Sequence, residues 1–119
     1  MSSLDKLGNL LMTRCRDRAI QCHDLLASGG SPTPSLAEIQ KALATMTPDQ
    51  KANVRRLVMQ CIDVGIFDLL VALQEAQDFD EGIALIVDGE DVAEKSGTLF
   101  HELVGEDGWV SRFSEHDST

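Results

Sequence analysis

The chain has 119 residues, 43% hydrophobic and 25% charged, which fits one folded domain and excludes a chain disordered throughout. Ten cations against twenty acids give a formal net charge of −10. A uniformly basic nucleic-acid binder is thereby excluded, because neutralising phosphates needs clustered cations.

Residues 4–27 read as an amphipathic helix. Leu4, Leu7, Leu11, Cys15, Ala19, Cys22 and Leu26 step by three or four residues, one stripe of a 3.6-residue period. Ser3 is the expected N-cap, and Asp5 suits the positive end of the helix. Residues 28–34, Ser-Gly-Gly-Ser-Pro-Thr-Pro, break the chain as an exposed connector. Ser35 and Glu38 fit a capping box that opens a short helix to about Met46. Thr47, Pro48 and Gln50 repeat that logic for a third helix.

The third helix is expected from about Pro48 to Ala76, with Gly65 as a place to bend. Val64 to Leu73 is apolar nearly all round, and a helix apolar on every side is normally enclosed by its neighbours. It is therefore placed at the centre of the fold. Beyond Gln77 the pattern is less decisive. Ile83–Val87 reads as a short helix or a buried strand, and Asp88 as the cap of a helix starting near Gly89. Leu99–Val104 favours helix, residues 105–108 form a turn, and Trp109–Phe113 is a last short element. A hairpin made by 99–104 and 109–113 is the competing arrangement. Residues 114–119 form a polar tail expected to fray. The whole is thus read as a single all-α domain, 1–119, of about five or six helices around a long central one. The fallback is α+β with a small C-terminal hairpin.

No apolar run approaches the ~18 residues that span a bilayer, and the first residues lack a secretory pattern. Three cysteines, with no CxxC, point to reduced thiols in a cytoplasm, filling the core as small apolar side chains.

The charges are segregated. Residues 1–60 hold eight cations and five acids, a balance of +3, whereas residues 61–119 hold two cations and fifteen acids, a balance of −13. Such halves attract each other within the fold or present an acidic face to a basic protein. The acids near Gly82 and Gly89 do not match a calcium loop, and His101-Glu102 lacks the second His of a zinc helix. No metal and no cofactor is expected, and no nucleophile motif is present. Asp63 and Asp68 interrupt an apolar helix, so each needs a partner or an opening. Together with His101 they are the candidate polar groups of a pocket beside the central helix. Arg14, Arg16 and Arg18, with Arg55 and Arg56, are expected to meet acids of the other half.

Trp109 and Phe113, one helical turn apart, stand beside Glu106 and Asp107. With Glu90 and Asp91 these are the candidate partner-binding residues, an aromatic anchor in an acidic rim. The leading reading is a small non-catalytic binding protein, of inhibitor or immunity type, that engages a basic partner through its acidic half. No membrane partner is expected, and the charge weighs against nucleic acid. A small enzyme or ligand-binding domain, and a structural or regulatory helical homodimer, are the alternatives.

Overall fold

The computed structural model describes residues 1–117. α1 (Ser3–Leu11), one π-helical turn (Met12–Arg16) and α2 (Asp17–Ala27) follow one another without a break. Ser2, not Ser3, caps this rod, accepting a hydrogen bond from the Asp5 amide at 3.1 Å, while Ser3 is buried. The π-turn accommodates one more residue than an α-turn does. Beyond it the buried stripe therefore shifts by one position, from the expected Leu7-Leu11-Cys15-Ala19-Cys22 to Leu7, Met12, Arg16, Ile20 and His23. Cys15 and Cys22 rotate outward. All three cysteines are exposed free thiols, which corrects the expectation that they fill the core.

The connector turns at Gly29 and is tied down by Gln40. The Gln40 amide accepts from the Ser31 N–H at 2.9 Å and donates to the Ser31 carbonyl at 3.0 Å. A 3-10 turn (Pro34–Leu36) precedes α3 (Ala37–Ala44), so Ser35 lies inside that turn and makes no cap. The Thr47–Gln50 capping box forms as expected and opens α4 (Pro48–Asp78). α4 runs uninterrupted through Gly65 for 31 residues, about 46 Å at 1.5 Å per residue. It accounts for most of the longest dimension of the 49 × 30 × 22 Å molecule.

Two short antiparallel strands follow, β1 (Ile86–Val87) and β2 (Glu90–Asp91), with Val87 opposite Glu90. Asp88 and Gly89 between them both take positive φ, 50° and 77°, as the tightest hairpin turn requires. Asp88 is thus a turn residue and not a helix cap. Asp91 is the cap instead: its side chain accepts from the Glu94 amide of α5 (Val92–Ser96). A 3-10 turn (Leu99–Glu102) and α6 (Trp109–Phe113) complete the described chain. The fold is all-α around a long helix, with a small hairpin at 86–91 and not at 99–113.

The core lies around the C-terminal half of α4. Ile66 and Leu70 pack with Leu7 and Met12, with Val92 and Leu99, and with Leu103, Trp109 and Val110. Gln74, 2% exposed, stitches this side together. Its amide donates to the Ala93 carbonyl and accepts from the Leu99 N–H. The covering elements leave one side of the middle of α4 open, although Ala76 near its end is buried on that side too. Val64 and Leu69 remain 45% and 48% exposed, so the helix is central without being enclosed. An 18-residue window of α4 has a mean hydropathy of 1.7, and by length and composition alone the helix could cross a membrane. The expectation that no stretch qualifies is corrected to that extent; a mostly buried core helix passes the same test, and this window is 22% buried.

Candidate functional site

The π-turn carries Arg16 into the interior, where it is fully buried. Its Nε donates to Asp63 Oδ1 at 2.6 Å and its Nη2 to Asp63 Oδ2 at 3.3 Å. Nη1 donates to Ser114 Oγ at 2.7 Å and to the His116 carbonyl, and Nη2 also reaches the Asp117 carbonyl. Every donor direction of the guanidinium fork is thus used. Asp17 completes the cluster by accepting from the Ser114 hydroxyl and from the Glu115 N–H. Residues 114–117 are strapped down by this network, which corrects the expectation of a fraying tail over those positions; Ser118 and Thr119 lie outside the described residues. Asp63 has found a cation of the first helix, and it serves as a structural ion pair.

On the far side of α2, α3 and the first half of α4 diverge and leave an open groove of about 370 Å³. Ala19, Cys22 and Leu26 form one wall, Ile39 and Leu43 another, and Val54, Val58 and Ile62 the third. His23 is the one polar side chain among the lining residues. At this end His23 Nδ1 lies 2.8 Å from Asp24, and Asp24 also accepts from Arg55 Nε at 3.0 Å. The Arg55 guanidinium holds the Asp24 carboxyl below its ordinary range, burial opposes this, and His23 adds to the lowering.

A profile for a family of unknown function, DUF6547, matches residues 11–117. The chain belongs to this family. Comparison with the curated proteins and with the solved structures finds no match.

In this DUF6547 chain the residues singled out from sequence are dispersed. Asp63, Asp68 and His101 do not line the groove: Asp63 is held by Arg16, Asp68 is exposed, and His101 is exposed with its ring 4.6 Å from that of Phe100. Trp109 is 1% exposed and belongs to the core, so it is no anchor offered to a partner. Its indole lies against Gly8, where a methyl group would stand 2.4 Å from Cδ1. Phe113 is half-buried beneath the Arg112 guanidinium, 4.7 Å from its centroid. Glu106 and Asp107 stand exposed on the turn before α6. Glu90 is exposed and paired with Lys95 at 2.8 Å, which lowers its pKa. Asp91 is occupied as a cap.

Among the described residues no group of three or more His, Cys, Asp or Glu side chains could hold a metal ion. Sequence reasoning missed the Arg16–Asp17–Ser114 cluster because a π-turn has no sequence signature that periodicity detects. It missed the groove because Ala19, Cys22, Ile39 and Val58 look like ordinary core positions until the helices diverge.

Proposed function

We propose that this protein is a non-catalytic module that binds a basic protein through its acidic C-terminal half. One observation carries the reading. Of the fifteen carboxylates in residues 61–119, three make ion pairs among the described residues: Asp63 with Arg16, Asp88 with Lys6 and Glu90 with Lys95. Lys95 and Arg112, the two cations of that half, are already engaged with Glu90 and Asp5. The negative charge is therefore left largely uncompensated from within. Such a field attracts a basic surface and speeds its encounter, as an inhibitor would when occluding a nucleic-acid-binding or nucleic-acid-cleaving site.

With Trp109 withdrawn into the core, contact falls to the exposed acids themselves, Glu106 and Asp107 foremost. The immobilised full-length chain should retain basic proteins that elute as salt is raised, because the Debye length shrinks from about 10 Å at 0.1 M to about 3 Å at 1 M. The double substitution Glu106→Lys with Asp107→Lys should reduce their recovery several-fold. Retained proteins that are neutral or acidic, or that resist salt, would overturn the reading.

A further inference from the structure

We propose that the open apolar face of α4, with the groove beside it, is covered by a second copy of this chain, the two α4 helices crossing antiparallel at Gly65. This inference is independent of the acidic reading above.

The face is continuous. Val54, Val58 and Ile62 line the groove. Gly65, Leu69 and Ala72, all exposed, extend the same side of the helix at spacings of three and four. From Val54 to Ala72 the stripe runs about 27 Å. Leu57 flanks it at 63% exposure, and Ile39 of α3 overhangs it at 51%. At the middle, Gly65 meets open space: nothing lies within 4 Å of where a Cβ would stand. A helix can approach closely there.

The amount of surface fits a missing partner. The chain exposes 7350 Å², whereas a folded monomer of this mass exposes about 6,300 Å². The excess, about 1,000 Å², is close to the ~800 Å² that each partner contributes to a standard interface. The radius of gyration agrees, at 16.9 Å against about 13.5 Å for a compact chain of this length.

Charge selects the occupant and its direction. Of the cations in the first half of α4, Lys51 stands on the side of the stripe, Arg55 is engaged by Asp24 and Arg56 lies on the opposite side of the helix, whereas the second half carries Asp68, Glu75 and Asp78 with no cation. An antiparallel two-fold crossing at Gly65 lays Val58 against Ala72 of the second copy and Cys61 against its Leu69. It brings Lys51 alongside the acidic end of the other helix. A parallel pairing would align Glu75 with its own copy. A two-fold interface needs a self-complementary patch, and the polarity of α4 supplies one.

Sedimentation equilibrium of the full chain at micromolar concentration should give twice 13.0 kDa. Gly65→Arg should return it to the monomer while circular dichroism shows the helix intact, since Arg is the better helix former and nothing blocks it. Gln60→Arg adds the same charge on another face of the helix and should leave the dimer in place. In a Leu69→Cys variant, mild oxidation should link the new thiol to Cys61 of the second copy. A wild-type chain that stays at 13.0 kDa, a Gly65→Arg variant that still dimerises, or a disulfide between the two Cys61 thiols would overturn the proposal. So would a monomer that partitions onto phosphatidylcholine vesicles, which would assign the face to lipid.

Discussion

Gly8 and Trp109 are a lock between the two ends of the chain. The indole rests flat enough on α1 that Cδ1, Cγ and Nε1 all lie within 2.5 Å of the position a Gly8 Cβ would take. A glycine early in a helix weakens it locally. Here that weakness is offset by burying the largest side chain of the core.

Gly8→Ala should therefore destabilise the protein by about 3 kcal/mol, an overpacking cost, even though alanine is the better helix former. Urea unfolding measures it. A change within 0.5 kcal/mol of zero would show that the indole has room to move.

Arg16→Met should cost about 3 kcal/mol by leaving Asp63 half-buried without its cation. The loss should be partly recovered in the double variant Arg16→Met with Asp63→Leu, because replacing both partners removes the orphaned charge. Hydrogen exchange of the Glu115 and His116 amides should quicken in the single variant, since those residues are tethered to the same cluster. Unchanged exchange would mean that the strap holds without Arg16.

Gln74→Leu should cost about 2 kcal/mol although it adds apolar surface to a buried site. The substitution leaves the Leu99 N–H and the Ala93 carbonyl unpaired in the interior. Thermal unfolding of Gln74→Leu checks this, and an unchanged midpoint would mean that the Leu99 N–H and the Ala93 carbonyl find other partners.

Asp24 makes a pH-dependent contribution of known sign. Its folded pKa is lowered chiefly by the Arg55 hydrogen bond. The stabilisation is therefore present above the unfolded carboxylate pKa of about 3.9 and is lost as pH falls below it, through the folded value. The pair is more than a third exposed, so solvent screening holds the effect to about 0.5 kcal/mol. Asp24→Asn should be less stable than the wild type by that amount at pH 7, and the gap should close in acid. A gap that persists in acid would mean that the carboxylate charge plays no part.

Hydrophobic periodicity and end signals were sufficient for the helical class, the Thr47 cap and the long helix that begins at Pro48, because those features rest on residues three or four apart. The charge asymmetry was equally plain in the sequence. The hairpin at Asp88-Gly89 was missed: an Asp-Gly pair next to Ile-Val is a turn signal, but the strands that flank it are two residues each and hid it among helix caps.

What the amino-acid order alone determined is therefore local: which stretches coil, where they stop and which half carries the negative charge. Tertiary packing alone decided which faces are inside. A single π-turn rotated every later residue of the first rod, moving Arg16 inward and Cys15 and Cys22 outward. The described elements do not surround the middle of the 31-residue helix, so Val64 and Leu69 stay open. The pattern of apolar residues marks the sides that avoid water, but only the number and placement of neighbouring elements determines which of them are covered.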